Sequence, residues 1–564
     1  MKINLITIED GLNNTGFRKF CAYAKKIHPN TDAFYVTTGN SRSFKHLLFA
    51  KSSPFLEPAE VEEIAAGIAG ADIVGFSSMT QYAIATIDII AAVRRQNPRA
   101  YIVWGGIHAI IEPEDAILHA DAVCTGEGEF AFEKFLDAFK AGRPFFDTPS
   151  FWFNTPDGVR KNPNLPLMTA EEMDALPIPL YQDGEYIYKR GEGFSPIRPE
   201  DFIVYNGLSY KTVWSIGCPF KCTYCGNTKF IDYDRNYRKI RHSSPALIIE
   251  EIKDAVRKHP HISTVIFDDD SFMALPMRVM EDFAARFKAE IGLPFVITGL
   301  IPNYVRDDKL RLLTGAGMNR VRMGIQSGSE AILEFYERPT PVARIRQSCI
   351  ILNRYKERMI PPAFDIILDN PIETVEDNRA TLDLIHQMPR PYTLNIFSLR
   401  VIPNTRLAEA VVERGVELDD IKKPYTHPRP TLSNILVFAM VTVPVPKRIF
   451  EWFRARALPT HMPQKHYPAL MFLMRFLYLA KRAVDHLRTM DLTVTSGTTA
   501  ALLWKLGIVG LWQKHILKRF VLARSEAEVP PLAEPDIPAK RSTAAQPAPT
   551  PAPAAATSEE ERAA

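Results

Sequence analysis

The feature that most limits the fold is a repeated switch between β-type apolar runs and helix-period stretches, and it occurs in two separate series. In the first series, Ile3–Thr7, Ala33–Thr37, Asp72–Ser78, Tyr101–Gly105 and Asp121–Thr125 read as strands, with amphipathic stretches such as Val61–Ala69 and Ile84–Arg95 between them. Continuous apolar strands separated by helices predict a parallel sheet covered on both faces. A doubly wound α/β domain of this kind takes its ligands at the carboxyl ends of its strands. The second series starts at Lys211 and contains Thr212–Ile216, Thr264–Asp268, Phe295–Gly299, Arg320–Ile325, Ala363–Leu368 and Leu394–Leu399. The stretches between them carry helical periodicity. Six βα repeats fall short of the eight of a closed barrel, so an open, partial (β/α)6 barrel is predicted.

Five regions follow: an α/β domain over 1–142, a Pro-rich linker with a small hairpin over 143–205, the partial barrel over 206–425, a basic helical extension over 426–525, and a tail over 526–564. The tail is mostly Ala, Pro, Ser, Thr and Glu, which cannot bury enough apolar surface to offset ordering, so disorder is predicted there. Lys and Arg number 68 against 65 Asp and Glu, a net charge of +3. That balance supplies no global field for nucleic acid, and no nucleic-acid partner is expected. Neither a secretory signal nor a bilayer-spanning run is found, so a cytoplasmic location is expected. The extension, with Lys447, Arg448, Arg475, Lys481, Lys514 and Arg519 among its cations, has two readings. The favoured one is a cap on the barrel with solvated charges. The other is a peripheral membrane contact through 440–524, which would suit a lipid-like or hydrophobic substrate.

Six cysteines occur, and three fall within eight residues: Cys218, Cys222 and Cys225. The other three, Cys21, Cys124 and Cys349, read as buried thiols. The cluster has the spacing Cys-x3-Cys-x2-Cys and follows an apolar strand, where βα folds place their chemistry. A structural zinc site wants four ligands, and an ordinary electron-transfer cluster uses four thiolates. Three thiolates leave one iron of a [4Fe-4S] cluster open, which is useful when a small molecule binds there. Reduced structural thiols or half of a zinc site are the bland alternatives.

This loop resembles the signature of the radical S-adenosylmethionine (SAM) enzymes, and the resemblance covers roughly residues 205–410. It implies that Cys218, Cys222 and Cys225 hold the cluster and that the open iron chelates SAM. One electron, from an external donor of flavodoxin or ferredoxin type, then releases a 5′-deoxyadenosyl radical. Tyr224 matches the family's aromatic position against adenine. Asp269, within Asp268-Asp269-Asp270, falls where polar groups meet the SAM amino group. Gln326 and Ser327 fall in a segment similar to the strand that contacts the SAM ribose and carboxylate, with Gln326 standing where many relatives carry Glu.

The first domain resembles cobalamin-binding folds. Ser77-Ser78-Met79 is similar to their Ser-x-Leu element, and Gly105-Gly106 follows at the matching distance. Adjacent glycines let backbone approach a bulky ligand closely. Asn13 stands where such folds place a cobalt-ligating His, so the resemblance implies cobalamin without a histidine below the metal. His108 is the tempting substitute, although a loop histidine against the nucleotide tail or solvent is the plainer reading. Together these likenesses imply a cobalamin-dependent radical SAM enzyme that methylates an unactivated carbon of a small or hydrophobic metabolite through methylcobalamin. A non-methylating relative, similar to the anaerobic magnesium-protoporphyrin ester cyclases, is the first alternative. A non-catalytic iron–sulfur redox protein is the second.

Overall fold

The computed structural model describes residues 1–531, apart from 10, 13, 38–55, 180–183, 400, 402–403 and 417–427. The expectations for Asn13 and for most of the tail therefore lie outside the described residues. The first sheet is built from β1 (Ile3–Glu9), β2 (Thr31–Thr37), β3 (Ile73–Ser78), β4 (Tyr101–Gly105), β5 (Ala122–Cys124), β6 (Phe151–Thr155), β7 (Gly158–Lys161), β8 (Glu185–Lys189) and β9 (Gly193–Pro196). Their order is β7-β6-β5-β4-β3-β1-β2-β8-β9. The strands β5-β4-β3-β1-β2-β8 run parallel, and β6, β7 and β9 add antiparallel edges. The order reverses at β1, which lies between β2 and β3. In open α/β sheets that switch point opens a crevice at the strands' carboxyl ends.

The segment read as a linker with one hairpin does more than connect. It supplies β6 to β9, a hairpin at each edge of the first sheet. Arg18 and Glu185 fix one of these arms: both are about 5% exposed, their Nη1 and Oε1 atoms lie 2.8 Å apart, and the Tyr35 hydroxyl donates to the same Oε1 at 2.9 Å. Removing one member of such a buried pair typically costs about 3–5 kcal/mol, because the other charge is left without compensation.

The second sheet contains β10 (Ser209–Thr212), β13 (Thr264–Phe267), β14 (Phe295–Leu300), β15 (Met318–Gln326), β16 (Ala363–Leu368) and β17 (Thr393–Ser398), in that order and all parallel. This is the six-stranded partial barrel. The first strand lies earlier than the predicted Thr212–Ile216, sharing only Thr212 with it. The chain leaves the sheet after Thr212, and β11 (Ser215–Ile216) pairs instead with β12 (Arg241–His242). Trp214 causes the break: its fully buried indole stacks on Phe283 at 4.8 Å and donates to the Ser243 carbonyl at 2.9 Å. Helices after residue 430 close the open side of the barrel. Lys481 Nζ donates to the Tyr392 carbonyl at 3.2 Å, and the Tyr478 hydroxyl donates to the carbonyl of Leu394 on the edge strand β17. Residues 1–529 cluster as one unit.

Candidate functional site

The cysteine loop is shaped by its first glycine. Gly217 has φ +118°, and a Cβ there would stand 2.5 Å from the Lys239 carbonyl oxygen, so only glycine permits the turn into Cys218. Cys218 N–H then bonds to the Tyr237 carbonyl at 3.1 Å, and Cys225 N–H to the Cys222 carbonyl at 3.0 Å. Thr223 ties the loop to the barrel by donating its N–H to the Tyr336 carbonyl at 2.9 Å. Phe220, Ile301 and Tyr304 pack around the three thiols. Burial pushes the Cys218 thiol up to about 12 and also raises Cys225, and exposed Asp270 adds to both shifts. Iron must displace those protons to bind. Among the described residues, the trio of His, Cys, Asp or Glu ligand atoms gathered within 4.8 Å is His108, Glu112 and Asp115.

Sequence reasoning overlooked Arg338, which sits behind the loop. It is 7% exposed; Nη2 donates to the Gly324 carbonyl at 2.6 Å, and Nη1 reaches the Tyr224 hydroxyl at 3.2 Å and Cys222 Sγ at 3.7 Å. Its Nε has no partner. A buried cation among neutral thiols is costly, whereas iron-bound thiolates would supply the missing negative charge. This is the clearest sign that the loop fits an anionic cluster. An Arg that follows the fourth barrel strand and precedes a Pro-Thr turn has no signal in one sequence.

The residues expected to meet SAM separate into two groups. Tyr224 packs edge-on against Tyr336 at 4.9 Å beside the thiols. Gln326 ends β15 at φ +65°, a conformation that a non-glycine residue adopts only when its surroundings impose it. Asp269 and Ser327 correct the expectation. Asp269 is 1% exposed and accepts from Trp214 N–H at 2.9 Å, Ser215 N–H at 2.7 Å and the Ser215 hydroxyl at 2.5 Å. Burial raises its carboxyl to about 6, while those three donors act the other way. It braces the approach to the cysteine loop instead of facing a ligand. Ser327, also 1% exposed, is taken up by the Thr381 hydroxyl at 3.2 Å and by Ser329 N–H at 3.1 Å. The carboxylate of the acidic triplet that lines the cavity toward the first sheet is Asp268. It pairs with Lys211 Nζ at 2.6 Å and accepts from Thr298 at 2.8 Å. Burial would raise this carboxyl, but Lys211 and Thr298 more than offset it and hold it below the ordinary range.

A cavity of about 940 Å³ runs between the two sheets, at the upper end of small-molecule pockets. One wall is the switch point of the first sheet, with Asn14, Ser77, Gly105 and Gly106, followed by Thr125 to Glu129. The opposite wall belongs to the barrel and includes Lys211, Ile216, Tyr237 and Asp268. Ile216 and Tyr237 flank Cys218, so the cysteine loop borders the cavity. Gly106 has φ +85°, and a Cβ there would lie 2.7 Å from Ser77 Oγ. Close packing of β4 on β3 therefore demands this glycine, and the result is a bare backbone wall. Glu127 joins the walls: it accepts from Arg241 Nη2 at 2.7 Å and from Met168 N–H at 2.7 Å. His108 is a further correction, because it does not line the cavity. It is fully buried 5.0 Å from the Trp104 ring, with Nε2 bonded to Asp115 at 3.1 Å. Cys124, expected as a bystander, is indeed buried but also lines this cavity.

A family model described as the radical SAM superfamily matches residues 212–385, and one described as a B12 binding domain matches residues 46–136. The two matches, in this order, give the chain a B12 binding domain followed by a radical SAM domain, and the cofactors those domains take are cobalamin, a [4Fe-4S] cluster and SAM. Particular relatives narrow the comparison. The chain is 26% identical over 369 residues to an uncharacterized methyltransferase of Pyrococcus horikoshii, covering 64% of this chain and 74% of that one. It is 24% identical over 425 residues to an anaerobic magnesium-protoporphyrin IX monomethyl ester cyclase of Synechocystis, covering 72% and 76%. Among solved structures, the fold resembles the methyltransferase TsrM of Kitasatospora setae, with TM-score 0.57 and 14% identity over 86% of this chain and all of that one. It also resembles the cobalamin-dependent radical enzyme OxsB, with TM-score 0.58 and 13% identity over 90% and 84%.

Proposed function

We propose that the chain is a cobalamin-dependent radical SAM methyltransferase acting on an unactivated carbon of a small molecule. The observation that carries this reading is a cavity lined by residues of both sheets, with the cysteine loop at its border. When bound, the cluster and SAM supply a 5′-deoxyadenosyl radical and cobalamin supplies a methyl group. The chain's own residues bind and orient these groups. Cys218, Cys222 and Cys225 hold the iron, Arg338 balances its charge, and Tyr224 and Gln326 border the SAM position. Ser77, Gly105 and Gly106 form the flat wall for the corrin, and Asn14, which bonds to Thr7 at 2.9 Å, caps the first helix at its edge. Lys211 and Asp268 are the charged pair within the cavity and can orient a polar group of the substrate. Enclosure between the two walls keeps reacting groups in near contact and excludes water.

The electron enters beside the cysteine loop. Lys221, from the loop itself, shares a surface depression with Asp232, Arg235, Arg238 and Arg406; Lys221 pairs with Asp232 and Arg406 with Glu337, so the excess positive charge comes from Arg235 and Arg238. This positive rim suits a small acidic electron carrier of flavodoxin or ferredoxin type.

Similarity to the magnesium-protoporphyrin ester cyclase favours one second reading, a radical reaction without methyl transfer. Anaerobic turnover with SAM, reductant and substrate separates the two. Methyl transfer yields 5′-deoxyadenosine and S-adenosylhomocysteine together. Deoxyadenosine without S-adenosylhomocysteine would establish the second reading.

A further inference from the structure

The helix Pro468–Arg488 is built inside out. Its charged side chains Arg475, Lys481, Arg482 and Asp485 are half-buried; Lys481 bonds to the Tyr392 carbonyl and Arg482 to the Tyr478 hydroxyl. Every residue exposed ahead of the terminal Arg488 is apolar, including Leu470, Phe472, Leu473, Phe476, Leu477 and Leu487. A helix on the surface of a water-soluble domain shows the reverse pattern. The favoured expectation of a cap with solvated charges therefore holds for the docking but not for the exposed face. The pattern is also regional. Among the described residues, sixteen of the twenty-five exposed large hydrophobic side chains lie between Val443 and Phe520. An apolar face this extensive on one helix, with further exposed hydrophobics in the same extension, marks an interaction surface.

Charge chooses the occupant. Residues 440–524 hold fourteen Lys and Arg against three Asp and Glu, so the remainder of this +3 chain is net negative. Lys447, Arg448, Lys465, Lys514, Lys518 and Arg519 are exposed, while of the three acids only Glu451 is. A second copy in an isologous contact would press this basic patch against itself. The chain's own residues 532–564 contain one Leu, one Ile and no aromatic side chain, too little apolar surface to cover the helix. An anionic lipid surface satisfies both features, since its acyl boundary takes the apolar stripe and its headgroups take the cations. We propose that this helix and the basic residues of the same extension form a peripheral docking surface for an anionic bilayer. No helix among the described residues is long and apolar enough to cross a membrane, so the contact lies on the bilayer. The proposal does not rest on the methyl-transfer reading.

The test is flotation of the full chain, loaded anaerobically, with vesicles of phosphatidylcholine plus phosphatidylglycerol and with phosphatidylcholine alone. At least about tenfold more protein should float with the anionic vesicles, and the excess should shrink severalfold in high salt. The variant Phe472→Ser/Phe476→Ser/Leu477→Ser should lose about tenfold of that binding. Its iron content should stay unchanged, because these side chains are exposed. Equal flotation with both vesicles, or full binding by the variant, would overturn the proposal. A concentration-dependent dimer without vesicle binding would overturn it in favour of a second copy.

Discussion

In the proposed enzyme, the side chains at Cys218–Cys225 carry the chemistry and the backbone presents them. Across the cavity, at Ser77 and Gly105-Gly106, the backbone itself is the surface and side chains are pared away. The two walls therefore tolerate different damage. The loop depends on the identity of three sulfurs, and the sheet wall depends on the closeness of two strands. Iron and corrin binding should consequently fail independently.

The largest effect is expected from Cys222→Ala, which should lose the iron–sulfur charge-transfer absorption altogether while still folding and retaining cobalamin. Loss of both cofactors would show that the walls are coupled. On the opposite wall, Gly106→Ala forces an alanine into φ +85° with its Cβ 2.7 Å from Ser77 Oγ. Strain of about 1–3 kcal/mol is expected, with cobalamin affinity falling tenfold or more and iron content unchanged. Arg235→Glu/Arg238→Glu should lower turnover about tenfold with a protein electron donor and leave turnover with a chemical reductant intact; equal loss with both would move electron entry elsewhere.

Asp269 sharpens the comparison through pH. Its folded-state carboxyl lies at about 6, above an unfolded value of about 3.9. The stabilisation tied to this group is therefore complete below the unfolded value and is lost as pH rises through about 6. Asp269→Asn should remove that dependence. Denaturation of the two proteins should diverge by up to about 3 kcal/mol between pH 4 and 7, and parallel curves would count against the assignment. The smallest effect is Arg338→Lys, where loss of the planar fork should shift the cluster potential by roughly tens of millivolts without releasing iron.

Most strands were legible because each is a continuous apolar run with helical periods on either side. Trp214 defeated that reading at β10, since an apolar stretch cannot announce that its tryptophan leaves the sheet to fill the core. The edge hairpins of residues 143–205 were hidden by their Pro-rich composition, and it is long-range pairing such as Arg18 with Glu185 that makes them part of the domain. The cysteines stood out by their spacing, by the apolar strand before them and by the flanking residues, and the structure packs all three on one loop. Asp269, Ser327 and His108 were placed near the right loops, but sequence does not say which way a side chain turns. Asp269 and Ser327 spend their polar atoms on the protein, and His108 turns Nε2 to Asp115 in the core. Arg338 left no local signal because its partners lie far away in sequence.

The account stands most directly on the iron and cobalt contents of the anaerobically reconstituted chain and two variants, measured on the same preparations after gel filtration. About four irons and about one cobalt per chain are predicted for the parent, cobalt without iron for Cys222→Ala, and iron with diminished cobalt for Gly106→Ala. A parent chain that fills with iron yet retains no cobalt would contradict it.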